Sequence, residues 1–436
     1  MAIDNAEERT QDEPLARPAE AASQAASPLR SLLPELTALS IPAYRMWWIS
    51  SASVLLNQFM TQVTLAWLIL QLTDSAAWVS FAVFAFGLPT FVLGLPAGVL
   101  ADRWDRRKQL VLAQSAALIN AVVLAVVVAT DLITPGLALV FAMISGATVA
   151  VSQPARQSLI RLLVPKEHLM NGIVLGSLSQ SLSQMTGPML AGLLIATISI
   201  TASFVALAFL LIVGIVSLLK MQVPSRDADR GPQKPFKLGD LLGGITFVWS
   251  RKPLFVVTML YLATGLWIVG AIQALVPVLV RDYYHAGVSA LGFAYTVQAI
   301  FGVATSLWIT KLGHVQNKGG IFALSMTFGA LGLLGYGLAP SYAVSLLFFA
   351  MFGVAASFYS NMSQTLLQKH SPQEVLGRVL AIVTLSIQGF IPLGALQAGL
   401  VASAFDARIA AVYGALVGMT LALGALISFP SFRKLD

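Results

Sequence analysis

The sequence contains no cysteine among its 436 residues, and only 10% of it is Asp, Glu, Lys or Arg. The first absence excludes disulfides, thiol nucleophiles, thiolate-held metals and iron–sulfur clusters. The second excludes an ordinary soluble domain, in which roughly a quarter of the residues are charged. What fills the chain is apolar, at 57%, against about 45–50% in soluble domains. Such a chain has too little polar surface to cover a water-soluble core. Its roughly 250 apolar residues suffice for on the order of twelve membrane-spanning helices of ~20 residues each.

The pattern along the chain agrees. Apolar stretches alternate with short polar breaks, which predicts spans near 46–72, 78–101, 109–130, 136–163, 169–197, 201–220, 253–280, 288–311, 319–338, 341–368, 376–402 and 409–430. The expected class is an all-α membrane protein of twelve transmembrane helices. Residues 1–43 read as a flexible cytoplasmic tail, because the stretch to Ser27 has no apolar run. The long interior break at 221–252, with Pro224, Pro232 and Pro235, reads as a cytoplasmic linker between six-helix bundles at 44–220 and 253–430; residues 431–436 form a short tail.

Basic residues give the sidedness. With a cytoplasmic N-terminus, only Arg281 and Arg408 of the 26 Lys and Arg fall outside, leaving 26 − 2 = 24 inside. This is the positive-inside pattern, and it implies a multi-pass protein of the plasma (inner) membrane with both termini cytoplasmic. It also accounts for the net charge of +7 without a nucleic-acid partner, because the basic residues are spread over all the inner breaks.

The halves repeat. At a shift of 207 residues, 157–193 aligns with 364–400 without gaps, and 11 of the 37 positions are identical, among them Gln157/Gln364, Pro165/Pro372, Glu167/Glu374, Gly187/Gly394 and Gly192/Gly399. Parallel six-span repeats with a site between them near the midplane are a transporter architecture.

The break after the second span reads Gly98-Val-Leu-Ala-Asp102-Arg103-Trp-Asp105-Arg106-Arg107-Lys108. It resembles the loop 2–3 signature of the major facilitator superfamily, Gly-x-Leu-Ala-Asp-Arg-x-Gly-Arg-Arg/Lys, with Asp105 in place of glycine, which predicts a different turn there. Stretches beginning at Thr61 and Pro154 resemble the branch of macrolide and siderophore exporters. The resemblance implies alternating access by two six-helix bundles. It also implies a conformational gate at Gly98, Asp102, Arg103, Arg106 and Arg107, with the Asp102 carboxylate held near the start of span 11 and by Arg106 or Arg156. Gly187, Pro188 and Gly192 are similar to the span 5 motif of antiporters, and Pro and Gly there allow bending and close packing.

Polar side chains within spans face protein or a cavity. Asn57, Thr61 and Thr64 form one stripe on span 1, with Gln58 and Gln62 beside it. Asn57 lies ~16 Å in, at 1.5 Å per residue. Ser145, Thr148 and Ser152 line up on span 4, and Ser357, Ser360, Asn361 and Gln364 on span 10; span 7 adds Thr264 and Gln273, span 11 adds Gln388. In the family, spans 1, 4, 7 and 10 line the central cavity. The expected substrate cavity is therefore Asn57, Gln58, Thr61, Thr148, Ser152, Gln273, Asn361, Gln364 and Gln388. The alternative for each is helix–helix hydrogen bonding. Trp67, Phe81, Phe84, Trp267 and Tyr359 are candidates for an apolar wall or for packing.

A third absence limits the chemistry. Every one of the 19 acids falls at a break or in the N-terminal region. Relatives of this branch often have an acid near the position of Gln58, and glutamine cannot titrate. Protons remain a candidate coupling ion only through boundary acids such as Asp74 and Asp102. The cavity is expected to be uncharged and to favour neutral or amphipathic solutes. An intramembrane enzyme would need embedded acids or histidines, yet His168, His285, His314 and His370 all lie at breaks. An ATP-driven pump would need a Gly-x-x-x-x-Gly-Lys-Ser/Thr loop, which is absent. The expectation is a monomeric secondary transporter, without cofactor, metal or ATP, whose partners are the lipid bilayer and a small-molecule substrate. Efflux of hydrophobic or amphipathic compounds leads, and uptake of a neutral metabolite is the alternative.

Overall fold

The computed structural model describes residues 36–222, 245–312, 315–433 and 435; the side chains of residues 95, 98–103, 373 and 374 lie outside this set. So do 1–35 of the expected tail and 223–244 of the expected linker. Twelve long helices follow one another: α1 (Pro42–Thr73), α2 (Ala76–Arg103), α3 (Arg106–Ala129), α4 (Pro135–Leu163), α5 (Leu169–Thr197), α6 (Ile200–Lys220), α7 (Lys252–Tyr283), α8 (Val288–Lys311), α9 (Lys318–Leu338), α10 (Tyr342–His370), α11 (Gln373–Gln388 continued by Phe390–Ala404) and α12 (Ala407–Ser428). Eleven are long and apolar enough to cross a membrane. The other, α5, has 29 residues, nine of them Asn, Gln, Ser or Thr.

Helix starts are set by short polar side chains at the breaks. Asp105 caps α3 by accepting from the Lys108 N–H at 3.0 Å, so the residue that departs from the glycine of the loop signature has a local role. Thr134, Ser199 and Ser341 cap α4, α6 and α10 in the same way. Leu36–Ser40, expected within the tail, is instead a 3-10 turn whose Ala38 N–H donates to Asn171 Oδ1 at 3.0 Å. Residues 245–250, expected within the linker, are helical, and Val248 is buried.

Two expected spans are not regular helices. In α7, Gly265–Val269 and Leu279–Tyr283 are π-helical. In α11 the helix is interrupted at Gly389. Pro392 lies three residues further on and has no N–H to return to the Gln388 carbonyl, so the ladder breaks there.

The helix neighbours repeat with the sequence. Within the first six helices, α1 packs on α5 and α6, α2 on α4, and α3 on α4 and α6; within the last six, α7 packs on α11 and α12, α8 on α10, and α9 on α10 and α12. Each pair of the first set has its counterpart six helices later. The sets meet through α5 with α8 and α2 with α11, which is again one contact and its repeat.

Glycines permit those crossings. A Cβ on Gly187 would stand 2.9 Å from Phe59 Cβ on α1, and one on Gly192 would stand 2.7 Å from the Val288 carbonyl on α8. Their repeat mates do likewise: a Cβ on Gly394 would meet the Gly265 carbonyl on α7 at 2.6 Å, and one on Gly399 the Ala76 carbonyl on α2 at 2.8 Å.

The crossing between the sets is fastened near Asp74. Thr296 Oγ1 on α8 donates to the Met185 carbonyl on α5 at 2.8 Å. Arg281 donates to the Leu70 carbonyl at 2.6 Å and to Asp74 Oδ1 at 2.7 Å, while its Nε reaches Asp282 at 2.5 Å. These contacts between the sets lie toward the Asp74 end of the bundle. At the opposite end, Cβ positions on Gly94 of α2 and Gly377 of α11 would meet nothing within 4 Å.

Candidate functional site

A polar recess lies inside the first six helices. Its free space of about 30 Å3 is lined by Asn57, Gln58 and Thr61 from α1, Asn120 from α3, Ser145 and Thr148 from α4, with Phe86, Phe204 and Leu207 as apolar walls. The structure thus brings together four of the expected cavity residues: Asn57, Gln58, Thr61 and Thr148. Their hydrogen-bonding capacity is used unequally. Asn57 Nδ2 donates to the Leu207 carbonyl at 3.0 Å, tying α1 to α6. Thr148 Oγ1 donates to the Ser145 carbonyl of its own helix at 2.8 Å. Asn120 Nδ2 donates to Ser145 Oγ at 2.9 Å, and its Oδ1 has no partner among the described residues. Asn120 was not singled out in the sequence; an amide in mid-span was the available signal.

The expected cavity residues of the second set are not part of this recess. Asn361 Nδ2 donates to the Ser357 carbonyl at 2.8 Å and to Ser306 Oγ at 3.4 Å, bridging α10 to α8. Gln273 is half-buried on α7, and Gln364 and Gln388 are exposed. The repeat explains the imbalance. The 207-residue shift that aligns α4 with α10 carries Ser145 and Thr148 onto Phe352 and Ala355, both apolar.

Thr64, part of the span 1 stripe, is fully buried and bonded to Ser203 Oγ at 2.8 Å, so it joins α1 to α6. Gln62 is exposed. Trp67 and Tyr359 are buried core residues.

Ser152 belongs to a second, smaller hollow with free space of about 10 Å3, lined by Trp47, Ser50, Ser51, Val54, Leu110, Gln114, Ser152 and Arg156. It is stacked on the first along the same three helices. Val54 and Asn57 on α1, Gln114 and Ala117 on α3, and Ser152 and Val149 on α4 are each about one turn apart.

The expected gate is described only in part, because the side chains of Gly98, Asp102 and Arg103 lie outside the described set. Arg106 has a bonding partner. Arg107 Nε donates to the Leu218 carbonyl at 2.8 Å and Nη2 to the Leu219 carbonyl at 2.5 Å. It thereby satisfies the open carbonyls at the C-terminus of α6, where a cation is favoured by the helix dipole. Of the span 5 motif, Gly187 faces α1 and Gly192 faces α8, and Pro188 is buried beside them. Among the described acids, Asp74, Asp131 and Asp406 stand at helix ends, Asp105 caps α3 and Asp282 is in the last turn of α7.

The chain was compared with known proteins. A family model described as transmembrane secretion effector matches residues 34–436. The enterobactin exporter EntS of Shigella boydii is 28% identical over 410 residues, covering 90% of this chain and 94% of that one. The staphyloferrin A transporter of Staphylococcus aureus is 22% identical over 359 residues, covering 82% and 88%. Among solved structures, the nucleoside transporter NupG superposes with a TM-score of 0.70 at 14% identity, over 90% of this chain and 100% of that one. A bacterial homologue of the human lysosomal transporter Spinster, in an inward-facing and unoccupied conformation, gives 0.69 at 13% identity, over 90% and 95%.

Proposed function

The chain belongs to the transmembrane secretion effector family of major facilitator transporters, and from that premise we propose that it exports amphipathic small molecules of the siderophore or drug type by alternating access. The observation that carries the reading is the fastening of the two helix sets at the Asp74 end. Contacts at Asp74–Arg281, Met185–Thr296 and Gly192–Val288 hold the Asp74 end together, while a polar recess runs along α1, α3 and α4. By the positive-inside pattern, the fastened end faces outward. The solute enters from the cytoplasmic side, exchanges water for Asn57, Gln58 and Asn120, and leaves when the fastening transfers to the other end. Similarity to an enterobactin exporter and a staphyloferrin A transporter supports a siderophore-type solute, and the exporter supports the direction.

Coupling to protons finds no carboxylate among the recess residues, so the recess itself is expected to be insensitive to a proton gradient. Gln58 makes no hydrogen bond among the described residues and is the group best placed to read the solute.

The test is counterflow into proteoliposomes, using labelled enterobactin and staphyloferrin A as probes, repeated with right-side-out and inside-out orientation. Exchange of at least one probe, with net movement toward the face bearing Asp74, is the expected result. Exchange of neither probe, or net movement toward the Arg107 face, would overturn the export reading.

A further inference from the structure

The smaller hollow contains a charge that nothing described so far uses. Arg156 stands on α4 seven residues before its end at Leu163, or ~10 Å into the helix at 1.5 Å per residue. It is half-buried, and it makes no hydrogen bond or ion pair with any described residue. Asp102, the partner its sequence context suggests, has its side chain outside the described set. An ionisable group at such depth is costly unless paired, and is characteristically functional.

Two further groups around the same hollow are incomplete. Trp47 is 2% exposed, and its Nε1 has no hydrogen-bond partner. An indole N–H can only donate. Gln114 spends Nε2 on Ser50 Oγ at 3.0 Å, and its Oε1 accepts nothing. The wall therefore offers a guanidinium, an orphaned N–H donor and the Ser51 hydroxyl, with a single orphaned acceptor; the Ser152 hydroxyl already donates to the Val149 carbonyl at 3.2 Å. That set is complementary to an oxyanion. Guanidinium binds carboxylate through two parallel hydrogen bonds, and such charge-assisted bonds are roughly twice as strong as neutral ones.

We propose that Arg156 and Trp47 form an anion subsite for the carboxylate or equivalent oxyanion of the transported molecule. The larger recess one turn away takes the uncharged remainder of the solute. The assignment of the ligand as a transported molecule rests on the exporter reading; the binding itself does not. The substrate class is thereby narrowed from amphipathic solutes in general to those with a negatively charged head.

The experiment measures equilibrium binding of radiolabelled benzoate to the purified full chain in detergent, against its neutral analogue benzamide as competitor. Benzoate presents its carboxylate at the edge of a flat ring, so that only this head need enter the hollow. The expected result is saturable benzoate binding that benzamide competes poorly. Arg156→Gln should weaken it at least tenfold, Arg156→Lys less than Arg156→Gln, and Trp47→Phe, which keeps the ring and removes the N–H, severalfold. Gel filtration and unfolding temperature serve as fold controls for each variant. Equal benzoate affinity in the parent and in folded Arg156→Gln would overturn the proposal and leave Arg156 to a partner such as Asp102. Absence of saturable benzoate binding by the parent would overturn it too. Neither outcome touches the export reading, which counterflow decides separately; failure of counterflow with benzoate binding intact would sink the export reading alone.

Discussion

Gly192 of α5 and Gly399 of α11 make the same contact on opposite sides of the molecule. The first lays the backbone of α5 against α8 at Val288, the second that of α11 against α2 at Ala76. The two crossings fasten the Asp74 end, and neither has space for a side chain. Substituting either residue by leucine should hold that end apart. The expected outcome is loss of counterflow by Gly192→Leu and by Gly399→Leu alike, with each protein still monodisperse. Loss in one and full activity in the other would show that the two crossings are not equivalent in the transport cycle.

The Asp74–Arg281 pair fastens the same end with charge. The Asp74 side chain is 82% exposed, so the pair contributes up to about 1 kcal/mol. That bounds the change in population of the closed end to roughly fivefold. Because the chain lacks cysteine, a single Ser80→Cys can report on closure, since Ser80 is fully buried beneath Gly399. Arg281→Gln should speed its labelling by a membrane-impermeant maleimide a few fold. The exchange Asp74→Arg with Arg281→Asp should slow it again. High salt should matter to the parent and not to Arg281→Gln.

In the large recess, Gln58 and Asn57 should separate by role. Asn57→Leu removes a bond from α1 to the Leu207 carbonyl and should cost about 1–2 kcal/mol of stability by leaving that link unmade. Gln58→Leu removes no described hydrogen bond and should leave the unfolding temperature nearly unchanged while altering relative rates among solutes. A substrate profile identical to the parent in Gln58→Leu would mean that this amide only fills space.

The loop 2–3 residues should separate as well. Arg107→Gln leaves the Leu218 and Leu219 carbonyls at the end of α6 without their donor; a lowered unfolding temperature with counterflow largely kept is expected. For Asp102→Asn, proposed to release the inner gate, the expected order is reversed: expression and melting near the parent, transport impaired. Melting curves and counterflow rates on the same preparations check both.

Most of the fold was legible in the sequence. Spans followed from apolar runs bounded by capping residues such as Thr134, Ser199 and Ser341, and the shift that aligns Gly187 with Gly394 anticipated paired helix neighbours. The breaks within α7 and α11 were less so. They arise where Gly265 and Gly270 let backbones cross and where Pro392 withholds an N–H, and hydropathy does not register either. For the candidate site, the polar stripes of spans 1 and 4 contain Asn57, Gln58, Thr61 and Thr148, which line one recess. It also picked out Thr64 and Asn361, whose polar atoms are occupied by Ser203 and by Ser357 and Ser306. Whether a polar side chain binds solute or another helix depends on the helix opposite, which one sequence read along its own axis does not show. The sequence offers Arg156 only as a partner for Asp102, because only the tertiary arrangement places Trp47 and Gln114 around it.

Arg281 takes two acceptors on α1 at once, the Leu70 carbonyl and the Asp74 carboxylate. The Leu70 carbonyl is also the one that receives the Asp74 N–H at the C-terminus of α1. A single guanidinium thus covers a helix terminus and ties it to the opposite set. Parting the two sets at this end uncovers that terminus, so the motion carries the loss of a cap in addition to the loss of an ion pair.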